Sequence, residues 1–186
     1  MVLQQHLVTA EQFDEYIQRP DLGDAIYELI CGSIAQKESS PFTSAMAGTI
    51  LFYLVMYVRE HGRIGHVTAA AGGYRIFDDC LVPDAAYISK ARQPELARVG
   101  YNPNPPELAV EVISDESNAQ ELSNLRRKIT NYLAAGTVVW AVFPFSQFIE
   151  VHAPGQPVQI IGIDGTLDGG EILPGFTLPV QDIFQT

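Results

Sequence analysis

The sequence predicts an α/β (α+β) domain: a central mixed β-sheet flanked by helices, with additional β-hairpins. Three observations lead there. Glu107 to Ser114 contains a near-continuous apolar run, the pattern of a strand covered on both faces. Asn118 to Ala135 follows as an amphipathic helical segment, and Val138 to Phe143 is a second buried run; strand, helix, strand implies a mixed sheet with helices packed on it. Short apolar runs punctuated by glycine and aspartate flank this unit and read as hairpins. At 186 residues and 47% hydrophobic, with no repeat or linker, the chain fits one domain spanning 1–186.

The elements follow in order. Thr9 is an N-cap with Gln12 completing a capping box, so a helix starts there. Ile26 to Ala35 reads as two strands around a Cys31-Gly32 turn. Ser44 to His61 is helical, with Ala47, Ile50, Leu51, Leu54, Val55 and Val58 at helical spacing, and its lack of charge before Arg59 predicts burial on most sides. Gly62 to Phe77 is glycine-rich and β-like, with a turn at Asp78-Asp79 and a strand from Leu81 to Ile88. Gln93 to Pro106 is polar and proline-rich, the composition of a mobile surface loop. The helix from Asn118 turns Leu122, Leu125, Ile129, Tyr132 and Leu133 inward and ends at Gly136, a C-terminal cap. Phe148 to His152 is a strand after a turn at Pro144-Phe145-Ser146, and the tail alternates turns with short apolar runs up to Ile183-Phe184.

A net charge of -11 argues against a general basic surface for nucleic acid. It leaves room for a local site in which a divalent cation and a few Lys and Arg hold phosphate. Cys31 and Cys80 form neither metal-ligand spacing nor a disulfide framework, which suits a reducing, cytoplasmic setting. Met1 to His6 lacks the features of a signal peptide, and Ile50 to Val58 is too short to span a bilayer, so no membrane association is expected.

The chemistry-bearing residues are carboxylates set in apolar strands, which are costly there unless something cationic receives them. Asp84 follows Pro83, which cannot donate to a sheet ladder, so the pair belongs at a strand end or bulge, where side chains reach a cleft. A turn carboxylate capping a nearby amide is the plainer reading of Asp84 alone. Alternation puts Glu107, Ala109, Glu111 and Ile113 on one strand face and Leu108, Val110 and Val112 on the other. Glu111 therefore needs a partner, and a simple buried ion pair with Arg126 or Lys128 is the competing explanation. At about 100° per residue, Lys128 falls beside Tyr132 at the edge of the apolar stripe, with Arg127 on the solvent side. Lys128 can thus bend toward the sheet while burying its stem.

Asp84 after proline, Glu111 within Leu108-Ala109-Val110-Glu111-Val112-Ile113-Ser114, then Lys128, Tyr132 and Gly136 resemble the Uma2 family of restriction-endonuclease-like proteins, in the PD-(D/E)XK nuclease superfamily. Tyr27-Glu28-Leu29-Ile30-Cys31-Gly32, Val139-Trp140-Ala141-Val142 and Leu173-Pro174-Gly175-Phe176 with Ile183-Phe184 extend the resemblance over nearly the whole chain. Departures are Cys31 where the family often has Asp, Ser114-Asp115-Glu116-Ser117 in place of a Ser-Pro-Ser run, and no histidine opening the Ser44 helix. The resemblance implies a restriction-endonuclease-like fold and a metal-dependent DNA endonuclease that hydrolyses phosphodiester bonds. It implies Asp84 and Glu111 as metal-binding acids and Glu28 as an additional acid. Ile113 stands where the superfamily lysine usually lies, so Lys128 would replace it from the helix.

The cofactor expected is Mg²⁺, with Mn²⁺ able to substitute, held by Asp84, Glu111 and the Val112 carbonyl, because hard oxygen donors suit such ions. The partner expected is DNA, cut by a homodimer, since a double-strand break by single-site subunits commonly needs a two-fold mate. The alternative is a non-catalytic nuclease-fold module for binding or assembly, favoured by the acidic charge and the absence of a DNA-reading motif. Other motifs carry little. Ala69-Ala70-Ala71-Gly72-Gly73 lacks the Gly-Lys-Ser/Thr of a phosphate loop, the four histidines are scattered, and Asp164, Asp168 and Glu171 lack calcium-loop spacing.

Overall fold

The computed structural model describes residues 7–185; Met1 to His6, the segment read above for a signal peptide, lies outside it. After helix α1 (Ala10–Ile17) come strands β1 (Tyr27–Ile30) and β2 (Ser33–Gln36), helix α2 (Pro41–Glu60), and strands β3 (Gly65–Ala69), β4 (Tyr74–Ile76), β5 (Asp79–Leu81) and β6 (Ala85–Ser89). Then follow β7 (Leu108–Val112), α3 (Ala119–Ala134), β8 (Val138–Phe143), β9 (Phe148–His152), β10 (Gln159–Gly162), β11 (Thr166–Gly169), β12 (Leu173–Pro179) and α4 (Val180–Phe184).

The expected mixed sheet is six-stranded, in the order β10-β9-β8-β7-β6-β3. Only β7 and β8 run parallel in it, because α3 carries the chain back over the sheet between them; the other pairs are antiparallel. A four-stranded antiparallel sheet, β2-β1-β5-β4, and the β11-β12 hairpin complete the architecture. It is the restriction-endonuclease-like arrangement of a central sheet between helices.

Local chemistry explains the elements. Thr9 and Gln12 form the anticipated capping box on α1. Asn118 caps α3 by accepting from the Gln120 and Glu121 amides, and Gly136 just beyond its end takes φ +79°, where a side chain would be strained. The β1-β2 hairpin turns at Cys31 and Gly32, both at positive φ, and pairs Glu28 with Ala35.

Side-chain alternation divides the core into two. On one face of the large sheet, Tyr87, Val110, Trp140, Val142 and Ile149 pack against α2, β12 and α4. On the other, Ala86, Ile88, Ala109, Ile113, Val139 and Ala141 meet α3 and the inner side of the four-stranded sheet. β7 is buried at every position, as its apolar run required.

Five expectations change. The run from Leu81 to Ile88 is two strands in two sheets: it breaks at Val82-Pro83-Asp84, because a proline cannot donate to either ladder there. The preceding turn lies at Phe77 and Asp78, and Asp79 already begins β5. Helix α2 starts at Pro41, three residues early, since Ser40 supplies a capping box with Thr43 and proline suits the first helical turn. It is 20 residues long with a mean hydropathy of 1.5, longer than the Ile50 to Val58 stretch alone, and it is not buried on most sides: Met46, Ile50, Leu54, Tyr57 and Val58 face the core while Phe52 stands 61% exposed. Finally, the polar 93–106 connection is pinned rather than loose. Gln93 and Asn102 are buried, their side chains are hydrogen-bonded at 2.7 Å, and Asn102 also joins Gly73 and Ala97.

Candidate functional site

The break at Pro83 and the middle of β7 bring the sequence-predicted residues together. Glu111 points to the α3 side, surrounded by Ala109 and Ile113 of its own strand and Ala141 of the next. Lys128, one turn before Tyr132 on the inward face of α3, places Nζ 2.6 Å from Glu111 Oε2. The Tyr132 hydroxyl donates to Glu111 Oε1 at 3.1 Å. Glu28 enters from β1 in the facing sheet: Lys128 Nζ is 2.9 Å from its Oε1 and 3.1 Å from its Oε2. Glu28 Oε1 also accepts the Val82 amide at 2.7 Å, which fixes the chain just before Asp84.

Asp84 makes the amide cap considered for it and a second contact. Its Oδ2 caps the Val112 amide at 2.8 Å, holding the break against β7. Its Oδ1 faces inward, 3.1 Å from an ammonium that sequence reasoning missed, that of Lys37. The same Lys37 Nζ is 3.7 Å from Glu111 Oε2. Lys37 follows β2, its amide bonded to the Ile26 carbonyl at 2.8 Å. The signal for it was the hairpin register: a turn at Cys31-Gly32 sets Ala35 opposite Glu28, and Lys37, two residues on, shares that face. Arg126, the other partner considered for Glu111, instead binds Glu150 of β9 at 2.6 Å.

These residues line a cleft of about 460 Å³ between the β1-β2 hairpin and α3, walled by Glu28, Lys37, Glu111 and Lys128 and reached by Asn124 and Arg127. Asp84 is not in the wall and meets it through Lys37.

Three carboxylates and two ammoniums leave one net negative charge if all are ionised. Burial raises the pKa of Glu111 above the ordinary range, and the neighbouring Glu28 and Asp84 push the same way against the attraction of Lys128 and Lys37. Glu28 is buried as deeply, but Lys128, Lys37 and the Val82 amide outweigh desolvation and hold it below the ordinary range. Burial disfavours the Lys128 ammonium too, yet Glu111 and Glu28 prevail and raise its pKa. The Tyr132 hydroxyl is kept protonated by burial and by Glu111, so it serves as a donor.

Asp84 and Glu111 thus converge on one cationic point, the Lys37 ammonium. Both offer oxygen, and Mg²⁺ is commonly held by one or two carboxylates with water in its remaining positions, so the pair fits such an ion. Among the described residues no group of three His, Cys, Asp or Glu side chains is placed to hold a metal, and Glu28 contacts Lys128 at 2.9 Å. It is joined to Glu111 through Lys128.

A family model described as Uma2, "Putative restriction endonuclease", matches residues 12–181. Among solved structures, a crystal structure of a putative nuclease from Anabaena variabilis ATCC 29413 superposes with a TM-score of 0.78 at 21% identity, covering 95% of this chain and 97% of that one. At that identity the likeness speaks for the fold. No curated protein matches the chain.

Proposed function

The chain belongs to the Uma2 family, and from that premise we propose that it is a metal-dependent endonuclease hydrolysing phosphodiester bonds in DNA. The observation that carries this reading is the gathering of Asp84, Glu111, Lys128 and Glu28, drawn from two sheets and a helix, into one ionic cluster behind an open cleft whose wall includes Glu28, Glu111 and Lys128.

Asp84, Glu111 and the Val112 carbonyl would hold Mg²⁺ or Mn²⁺. The ion, when bound, supplies Lewis acidity toward a water nucleophile and neutralises charge on the phosphate. Lys128 presents a permanent positive charge beside Glu111, where it orients that carboxylate and offers a donor to negative charge growing on phosphate oxygens. Glu28 holds Lys128 from the other side and anchors Val82, so it positions both the lysine and the Asp84 bend. Tyr132 donates to the second Glu111 oxygen and fixes its rotamer. Arg127, on the cleft rim, suits a flanking phosphate. Cutting both strands of a duplex calls for two such sites, which a homodimer would supply.

Calorimetric Mn²⁺ titration and plasmid nicking with wild type, Asp84→Ala and Glu111→Gln test the reading. Wild type binds Mn²⁺ and nicks DNA, while both variants fold and lose both properties. Folded wild type that binds no Mn²⁺ would instead assign the ionic cluster to a non-catalytic module of the same fold, in which the two lysines simply neutralise buried acids.

A further inference from the structure

Lys37 is the member of the cluster with the least structural reason to be where it is. Its ammonium is pulled to the floor of a polar cleft, 3.1 Å from Asp84 and 3.7 Å from Glu111, with both the Lys37 and Asp84 side chains only 10% exposed. Among the described residues its ammonium makes no other hydrogen bond or ion pair. It sits just beyond β2, an edge strand, on a flexible four-carbon stem, so it can swing out without moving backbone. Lys128, by contrast, is locked between two carboxylates and is buried along its whole length.

We propose that Lys37 is a built-in counter-cation: it occupies the seat between Asp84 and Glu111 that a divalent metal would take, and metal binding displaces it into the cleft. The inference rests on the metal-binding reading above. Two cations cannot share that seat, because an ammonium at contact distance from a divalent ion is repelled while both compete for the same oxygens. The metal-free protein is thereby spared an uncompensated Asp84 beside Glu111, and it acquires a threshold, since a metal must outcompete an ammonium that is always present. The displaced Lys37 is left at the wall of the cleft, where a phosphate would lie.

The test combines calorimetric Mn²⁺ titration of wild type, Lys37→Met and, as a control on a lysine outside this cleft, Lys90→Met, with mass-spectrometric readout of acetylation at Lys37 in wild type. Lys37→Met is expected to bind Mn²⁺ about tenfold tighter or more, corresponding to about 1.4 kcal/mol, with Lys90→Met unchanged. In wild type, acetylation of Lys37 should speed up several-fold when Mn²⁺ is added, a measurement that needs no variant to fold. Equal or weaker binding by Lys37→Met, or Lys37 acetylation indifferent to Mn²⁺ that does bind, overturns the inference and leaves the metal site standing. No Mn²⁺ binding by either wild type or Lys37→Met overturns both.

Discussion

Glu111 and Glu150 occupy one row of the central sheet, separated by Ala141: Glu111 pairs with Ala141 across β7 and β8, and Ala141 with Glu150 across β8 and β9. At the usual strand spacing they stand about 10 Å apart on the same face. Each receives a cation from α3, Lys128 for Glu111 and Arg126 for Glu150. Their environments then part. Arg126 is 54% exposed and shares Glu150 with His152, and these partners outweigh desolvation to hold the Glu150 pKa below the ordinary range. Lys128 is 6% exposed and is shared with a second carboxylate, and Glu111 is pushed upward. The covering hairpin makes the difference: β1 and β2 roof the row over Glu111, bring Glu28 and Lys37 with them, and do not do so over Glu150. The same pairing has a half-exposed cation at one end of the row and is a buried cluster behind the cleft at the other.

The largest effect expected is on stability. Lys128→Met leaves Glu111 and Glu28 facing each other without their main counter-charge and should cost about 3–5 kcal/mol in urea unfolding. Arg126→Met should cost less than Lys128→Met, since Arg126 is itself half exposed and Glu150 keeps His152. Equal losses would erase the distinction between the two ends. Adding Glu111→Gln to Lys128→Met should recover part of the loss, because it removes one uncompensated charge.

Next comes chemistry. Glu111→Gln is expected to lower Mn²⁺-dependent nicking by more than about 100-fold, while Glu150→Gln, at the same register on the same face, should leave the rate near wild type. A comparable drop in both would move the site away from the roofed end.

The smallest effect is on pH dependence. Because the Glu150 pKa is lower folded than unfolded, the unfolded chain binds more protons in that window, and stability rises with pH there. This contribution is fully present above the ordinary glutamate pKa of about 4.3 and is lost as pH falls through the lower folded value. Glu150→Gln should therefore lower the neutral plateau by less than about 1 kcal/mol and flatten the acid limb, leaving stability below the folded pKa nearly unchanged. An unaltered acid limb would mean that Arg126 and His152 do not favour the charged form.

Much of this was legible in residue order because it is local. The runs Val138 to Phe143 and Phe148 to His152 form strands at those bounds, since apolar β-rich segments between turn residues have little alternative. The α3 boundaries follow from Asn118 and Gly136, and the inward placement of Lys128 follows from its angular distance to Tyr132. What failed was non-local. Leu81 to Ile88 reads as one strand because nothing in its hydrophobicity reveals that its halves join different sheets. Arg126 and Lys128 lie two residues apart, and only the register of β9 assigns Arg126 to Glu150. Lys37 sits in an ordinary polar stretch ahead of α2, and its role appears only when the hairpin is folded over the sheet.

By itself, then, the sequence determined which residues had to be reconciled: carboxylates at 28, 84 and 111 amid apolar neighbours, and a lysine on the inward face of a helix. Burial of charge without a partner is costly, so residue order alone requires a partner for Glu111, while the grouping of Glu28 with Asp84, Glu111 and Lys128 came from the resemblance to the family. Tertiary structure alone decided who the partners are, because pairing depends on distances between elements far apart in the chain. It placed Glu28 and Lys128, 100 residues apart, within contact, and it set Lys37 between Asp84 and Glu111.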